Sequence, residues 1–206
     1  LALLGLSPED IDIVLMTHMH HDHSGGLTYV NNQGKLVSKY PNAKIIVNDV
    51  EWYEMRNPNN RTRGTYLREN WEPIQDQVTT FSDSIDIIPE IQMIHTSGHS
   101  NGHCIILLKQ GEDTMIHMGD LMLTHVHRNP LWVPAVDDYP MKSISAKDKW
   151  LRQAFENNYK FFFYHDQFFA VAEFDKEGKE FVNYVLRSRP PVIPFTEQQD
   201  RRPDFL

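Results

Sequence analysis

Imidazole and carboxylate side chains are concentrated in one short stretch of this sequence, the run THMHHDH from Thr17 to His23. His18 and His20 are two positions apart, so in an extended segment both side chains point to one side and can share a metal ion. Asp22 and His23 follow where the chain turns through Ser-Gly-Gly, which leaves them free to hold a second ion. Ligands of these types where a strand opens into a loop predict a two-metal hydrolytic centre.

Further candidate ligands stand at the ends of later β-prone runs. His99 lies in a Gly-flanked loop, TSGHSNGH, between two apolar runs. Asp120 ends another apolar run in a Gly-Asp pair, and a carboxylate there can bridge two cations through its two oxygens. His165 follows the aromatic run KFFFY, which has high β-propensity. Every candidate ligand is therefore expected at the end of a strand.

Taken in chain order, these motifs resemble those of the metallo-β-lactamase superfamily: HxHxDH, then Gly-His, Gly-Asp and a late His. The resemblance runs from Ile11 to about Glu173 and implies an α/β fold, the αββα sandwich of that superfamily. It also implies two metal ions, each held by three residues of its own, with Asp120 between them. The ligands of the first would be His18, His20 and His99, and those of the second Asp22, His23 and His165.

Within the superfamily, the GHSxGH form of the second motif and the His-Asp after the late strand resemble the N-acyl-homoserine lactone hydrolases, the quorum-quenching lactonases. The stretch GDLMLTH, from Gly119 to His125, resembles their YtnP-like branch. Better-known lactonases have a tyrosine three residues after the bridging aspartate, where this sequence has Leu123. Another polar side chain would have to replace it, and the candidates are Tyr139, Tyr164, His125 and His127.

The resemblance implies a dinuclear metal-dependent hydrolase, in the first place an N-acyl-homoserine lactonase, that opens an ester or lactone bond by a metal-bridging hydroxide. Two cations about 3.5–4 Å apart lower the pKa of a bridging water, so no side-chain nucleophile is needed. The catalytic carboxylates would be Asp22, which can pass a proton to the leaving group, and Asp120, which fixes the separation of the ions. Zinc is the first choice, with Mn, Fe and Co as alternatives, because His and Asp ligands suit all four.

Other functions of the same fold stay open. A thioester hydrolase of the glyoxalase II type would use the same ligands, and a mononuclear iron oxygenase would use only one side of the site. A class B β-lactamase usually lacks the bridging carboxylate, so Asp120 disfavours that activity. A degenerate binding or scaffold domain is disfavoured because the full ligand set is present.

The composition favours a single domain that acts on a small molecule. The chain has 206 residues, 40% of them hydrophobic, close to the ~100–200 residues of one domain. The formal net charge is −8, and without a basic stripe a nucleic-acid partner is not expected. No run reaches the ~18–20 apolar residues of a membrane span, so no membrane partner is expected either. A cytoplasmic location is expected, and a homodimer is left open.

The first expected strand, Ile11 to Met16, lies close to Leu1, where the sequence begins. Members of the resembled superfamily have two or more strands ahead of this motif. We therefore expect the sandwich to lack its N-terminal strands here. One domain is expected over residues 1–186, and the proline-rich residues 187–206 are expected to form an extended C-terminal arm.

The elements that must position the site follow from periodicity. A short helix is expected from His23 to about Asn31, a buried strand at Lys44 to Val47, a helix from Asp49 to Met55 with Asp49 as N-cap, and an amphipathic helix from Lys142 to Asn157. Four short strands are expected between Val78 and Met118.

The loop from Leu121 to Met141 emerges beside a candidate ligand and is long for a compact domain. Its apolar residues would either line the site as a wall for an acyl chain or pack over the core. Leu123, His125 and Trp132 are the expected substrate contacts.

Overall fold

Secondary structure covers most of residues 1–188, the part of the chain that the structure, a computed structural model, describes. The strands are β1 (Ile13–Leu15), β2 (Thr28–Val30), β3 (Leu36–Ser38), β4 (Lys44–Asn48), β5 (Val78–Phe81), β6 (Ser84–Ile88), β7 (Ile91–His95), β8 (Cys104–Gln110), β9 (Asp113–His117), β10 (Lys160–Phe162), β11 (Phe169–Phe174) and β12 (Phe181–Leu186). The α-helices are α1 (His21–Ser24), α2 (Asp49–Arg56) and α3 (Pro140–Glu156). Short 3₁₀ helices occupy Ala2–Leu4, Pro8–Asp10, Gly25–Leu27, Thr62–Gly64, Arg68–Asn70, Glu72–Gln77, Gly119–Met122 and His125–Arg128.

The strands form two main sheets. The larger has seven strands in the order β12-β11-β10-β9-β8-β7-β6, antiparallel throughout except for the parallel pair β9–β10. The smaller has three parallel strands in the order β1-β4-β5, and β2 pairs with β3 apart from both. Parallel pairs place several strand ends at one edge, which is where the candidate ligands leave the sheets.

The two sheets pack face to face because the central strands carry apolar side chains on both faces. In β8, Cys104 and Ile106 belong to the cluster between the sheets, whereas Ile105 and Leu107 face away from it. Successive side chains of a strand point to opposite faces, so a strand that is apolar on both faces must be covered on both. The cluster between the sheets also takes in side chains of β4, β5 and β7, namely Ile46, Phe81 and Met93.

Helices cover the outer faces. On the larger sheet, Trp150, Leu151 and Ala154 of α3 pack with the outward side chains of β8. On the smaller sheet, Trp52 and Met55 of α2 pack against the outward side chains of β4. The order helix, sheet, sheet, helix confirms the predicted αββα sandwich.

Some local expectations were wrong. Asn48, and not Asp49, caps α2, because Asp49 is already the first helical residue and Asn48 precedes it with an extended backbone; Oδ1 of Asn48 accepts a hydrogen bond from the backbone of Val50 (3.0 Å). The helix expected from His23 stops at Ser24, since the β-prone residues from Thr28 pair with β3 instead. Five strands, and not four, run between Val78 and Met118, because β5 and β6 belong to different sheets.

Within the described residues, no helix combines the length and apolar character needed to cross a membrane. The C-terminal arm expected over residues 187–206 lies, apart from its first two residues, outside the described part of the chain. The division into a domain of 1–186 and this arm therefore stays a prediction.

Candidate metal centre

The predicted ligands leave the two sheets at neighbouring strand ends. His18 and His20 follow β1, and Asp22 and His23 lie in α1, which begins one residue later. The other three follow strands of the larger sheet: His99 stands in the β7–β8 loop, Asp120 just after β9, and His165 just after β10. The structure brings all of them together in two adjacent clusters.

The first cluster consists of His18, His20 and His99, all buried. One nitrogen from each ring lies within 4.8 Å of the others. Nδ1 of His20 and Nε2 of His99 are only 3.0 Å apart.

The second cluster consists of Asp22, His23, Asp120 and His165, again with one ligand atom each within 4.8 Å of the others. Nε2 of His23 lies 3.3 Å from Oδ2 of Asp22 and 3.3 Å from Nε2 of His165. Asp22 is the most open member, with its side chain 47% exposed. This cluster is therefore more exposed to solvent than the first.

Asp120 contacts both clusters. Its Oδ2 lies 3.3 Å from Nε2 of His99 and 3.3 Å from Nε2 of His23, one histidine of each cluster. Its Oδ1 lies 3.3 Å from Nε2 of His165. A carboxylate in this position can supply one ligand atom to each of two cations.

These separations fit divalent cations. Ligand atoms on a tetrahedral Zn²⁺, bound at ~2.0–2.1 Å, lie about 3.3 Å from one another. Among the described residues, Nε2 of His18 and Nε2 of His20 are buried without a hydrogen-bond partner. Since buried polar atoms are normally satisfied, a cation at the first cluster would supply the missing interaction. The histidine and aspartate clusters are consistent with a dimetal site.

Electrostatics favours the metal-binding forms of His18, His20 and Asp120. The pKa of His99 is raised, because Asp137 and Asp120 outweigh burial, and contact with Asp120 raises the pKa of His165. Burial, together with the charges of His23, His20 and His99, holds the pKa of His18 well below its ordinary value. Burial and His99 lower the pKa of His20 to about 3. Burial alone would raise the pKa of Asp120, but hydrogen bonds from His165 and His23 outweigh it and lower that pKa. Neutral imidazoles and an ionised carboxylate are the forms that bind metal.

Glu51 of α2 is a buried support that the sequence analysis missed. Its Oε1 accepts hydrogen bonds from the backbone of Met19 (2.7 Å) and the hydroxyl of Tyr66 (3.0 Å), and its Oε2 accepts one from Ser100 (2.6 Å). Met19 lies between two ligands and Ser100 follows a third, so one carboxylate joins both ligand loops. A Cβ at Gly102 would lie 2.1 Å from the Glu51 nitrogen, so this approach requires glycine. No local pattern marks Glu51, because its partners are distant in sequence.

His103 orients the backbone at Asp120. The Asp120 N–H donates to Nε2 of His103 (3.1 Å), so the ring proton lies on Nδ1, which is 3.0 Å from the hydroxyl oxygen of Thr96. Gly119 has a φ of +52°, and a Cβ there would lie 2.6 Å from the same Nε2. The Gly-Asp pair of the motif is therefore a steric requirement.

Two further side chains hold the ligand rings. Oδ1 of Asp137 lies 2.9 Å from Nδ1 of His99, and the hydroxyl of Tyr164 lies 2.5 Å from Nδ1 of His23. In both cases the contacted nitrogen is the one that faces away from Asp120, which leaves Nε2 free for a cation.

A cavity of about 410 Å³ opens over the clusters, a volume suited to a small ligand. Its floor includes His20, His99 and Asp120. The remaining lining residues form its rim: His21, Asp22, Arg61, Thr65, Ala135, Val136 and Asp138.

The three expected substrate contacts are not among the lining residues. Leu123 is half-buried, and Trp132 is 57% exposed to solvent. His125 is held by Asp166, whose Oδ2 lies 2.7 Å from its backbone nitrogen and 2.6 Å from its Nδ1. Contact of these residues with substrate stays a prediction.

Comparison with known proteins agrees with the fold and the clusters. The Metallo-beta-lactamase superfamily pattern matches residues 1–181. An N-acyl homoserine lactonase of Bacillus cereus is 28% identical over 116 residues, which is 56% of this chain and 40% of that protein. The chain thus spans less than half the length of that curated relative.

Two solved structures share the architecture. A probable metal-dependent hydrolase from Staphylococcus aureus is 39% identical, with a TM-score of 0.87 over 92% of this chain and 67% of that one. AidC, a dizinc quorum-quenching lactonase, is 19% identical, with a TM-score of 0.74 over 92% of this chain and 68% of its own, a likeness of fold. Together with the superfamily match, the sandwich and its two clusters establish that this chain belongs to the metallo-beta-lactamase superfamily.

Proposed function

We propose that the protein is a dinuclear metal-dependent hydrolase that opens ester or lactone bonds, with N-acyl-homoserine lactones as its substrates. The position of Asp120, whose carboxylate lies 3.3 Å from His99 of the first cluster and 3.3 Å from His23 and His165 of the second, is the observation that carries the proposal. A site for one ion would not require ligand atoms on both sides of this carboxylate.

Each residue has a defined role in this proposal. Two bound divalent cations would supply Lewis acidity and activate water for attack on a carbonyl. The first would be held by His18, His20 and His99, the second by Asp22, His23 and His165, and Asp120 would contact both. Asp22 lies at the cavity rim with an accessible carboxylate, so it can take up the proton released during attack and return it to the leaving oxygen.

The substrate class rests on the relatives and on the cavity. Most of the curated relatives that match about half of this chain are N-acyl homoserine lactonases, and a hydroxyacylglutathione hydrolase matches a similar share. The four side chains considered as replacements for the tyrosine absent at Leu123 do not line the cavity. Hydrogen-bond donors do reach its rim on His21, Arg61 and Thr65, and these can contact the polar end of a lactone substrate.

The decisive experiment combines metal analysis with a substrate panel: N-hexanoyl-homoserine lactone, S-lactoylglutathione, a phosphodiester and nitrocefin. We expect two metal ions per chain and turnover of the lactone. Asp120→Asn should reduce kcat/KM at least about 100-fold and lower the metal content. Cys104→Ser is the matched control, because that thiol is buried within the sandwich and lies outside the clusters.

Other results would redirect the assignment. Turnover of S-lactoylglutathione without lactone turnover would make the protein a thioester hydrolase. One iron per chain, with no hydrolysis of any substrate in the panel, would favour the mononuclear oxygenase. Zinc as the metal, a cytoplasmic location and a homodimer also belong to the proposal, and each has its own direct measurement.

A further inference from the structure

The segment Ala135 to Asp138 serves two parts of the site. Three of its four residues, Ala135, Val136 and Asp138, line the cavity. Its Asp137 is buried and contacts Nδ1 of His99 (2.9 Å). The cavity wall and the orientation of a candidate metal ligand therefore depend on the path of the same short segment.

Backbone hydrogen bonds join this segment to the His99 loop. The N–H of Asp138 donates to the carbonyl of His99 (2.9 Å), and the N–H of Tyr139 donates to the carbonyl of Gly98 (2.9 Å). Earlier in the Leu121–Met141 loop, the carbonyls of Asn129 (2.9 Å) and Trp132 (2.7 Å) accept hydrogen bonds from the buried ammonium of Lys147 in α3. Between Trp132 and Asp138, the loop is contacted by a second cationic side chain.

That cation is Arg61, which comes from a different loop. Its Nε donates to the carboxylate of Asp138, and its Nη2 donates to the carbonyls of Ala135 (3.1 Å) and Asp137 (3.0 Å). The guanidinium thus holds both ends of the segment and the backbone of the residue that contacts His99. The planar guanidinium presents donors from separate nitrogens at fixed angles to these three acceptors, whereas the three donors of an ammonium diverge from a single nitrogen.

We propose that Arg61 is a positioning residue that couples the cavity wall to the metal centre by fixing Asp137 against His99. The proposal rests on the proposed function in one respect, that His99 is a metal ligand. The Arg61 side chain is 54% exposed, and exposed ion pairs add little to global stability. Its role is therefore local, and its loss should affect metal affinity and KM far more than unfolding.

Zn²⁺ affinity, measured on the full chain by competition with a chromophoric chelator, tests this coupling. The variants are Arg61→Ala, Arg61→Lys, Asp137→Ala and the double variant. Arg63→Ala is the matched control, since Arg63 is exposed on the same loop and its side chain makes no hydrogen bond or ion pair with any residue of 1–188. KM for the lactone and the melting temperature are measured in parallel.

Asp137→Ala should weaken Zn²⁺ binding by roughly 10- to 100-fold, the usual range for a group that orients a ligand. Arg61→Ala should weaken it by about 3- to 10-fold and raise KM, with Arg61→Lys recovering part of the loss. Because Arg61 acts through Asp137, the double variant should bind no more weakly than Asp137→Ala alone. Melting temperatures of the Arg61 variants should stay within about 4 °C of the wild type.

Two failures are distinguishable. If the wild type binds no Zn²⁺, the proposed function fails. If the wild type binds Zn²⁺ and Arg61→Ala binds it as the Arg63→Ala control does, Arg61 is not a positioning residue, whatever the enzyme hydrolyses. Additive losses in the double variant would equally overturn the coupling. If Arg61→Ala does not fold, Arg61→Lys and Asp138→Asn decide the question by the same comparison.

Discussion

The hydroxyl of Tyr164 lies 2.5 Å from Nδ1 of His23, on the side of the ring opposite Asp120. When Nε2 of His23 binds a cation, the ring proton must lie on Nδ1, and it then donates to the tyrosine oxygen. Tyr164 also directly precedes His165 in the chain. Tyr164 therefore orients His23 and is the chain neighbour of His165, a second candidate ligand of the same cluster.

Tyr164→Phe should weaken metal binding at the second cluster by about tenfold, because it removes the acceptor that holds the His23 ring. Binding at the first cluster should change little. Titration of the metal-free protein with Zn²⁺ measures the two affinities, and Tyr53→Phe is the control because its side chain is exposed on α2. Equal weakening at both clusters would mean that Tyr164 acts on the fold as a whole.

Glu51→Ala should destabilise the protein by about 3 kcal/mol or more, since three buried donors lose their acceptor. Urea unfolding of the metal-free protein measures this change. The exposed Glu69→Ala should cost less than about 0.5 kcal/mol. A Glu51 variant as stable as the control would show that these hydrogen bonds are replaced by water.

Because Lys147 is buried, we expect the free energy of unfolding to rise at alkaline pH. Burial lowers its pKa in the folded protein from 10.5 to about 8. Above pH 8 the folded state has released a proton that the unfolded state still binds, so the free energy of unfolding should increase between about pH 8 and 10.5.

Lys147→Met should lack this contribution, and the exposed Lys149→Met on the same helix should retain it. Urea unfolding of the metal-free variants at pH 7.5, 9 and 10 measures the difference. Parallel pH profiles for the wild type and Lys147→Met would mean that the ammonium keeps an ordinary pKa.

Two positions in the Leu121–Met141 loop distinguish two locations for an acyl arm. Trp132→Ala should raise KM for long-chain lactones more than for short-chain lactones if the arm follows the outer part of the loop. Val136 lines the cavity itself, so Val136→Ala should raise KM about threefold for both chain lengths. Steady-state kinetics with hexanoyl and dodecanoyl substrates compares them. Unchanged KM values in the Trp132 variant would remove that residue from the binding surface.

Much of the fold and the ligand set could be predicted because the signals are local. Apolar alternation identifies strands such as β8 over a few residues, and it requires that both faces be covered. Ligands directly after such strands, in Gly-rich turns, are expected at strand ends. Which of them share an ion was implied by the resemblance to the metallo-β-lactamase superfamily, because the residues around His18 and His165 are far apart in sequence.

Local signals were less reliable at element boundaries. Asn48 and Asp49 are both good N-cap residues, and both side chains accept a hydrogen bond from the backbone of Val50; only the path of β4 into α2 decides which of them is the last residue before the helix. Similarly, the segment from Thr28, which was expected to be helical, forms strand β2 because it pairs with β3.

The sequence by itself determined the sandwich and the residues that meet at its edge, because strand alternation and motif order act over short stretches. Only the tertiary structure decided what supports them. Glu51 meets Met19 across 32 positions, Asp137 meets His99 across 38, and Arg61 meets Asp137 across 76. Such contacts depend on how loops cross after the sheets have packed. No periodicity or spacing encodes that crossing, so the supporting carboxylates and the cavity wall emerge only in three dimensions.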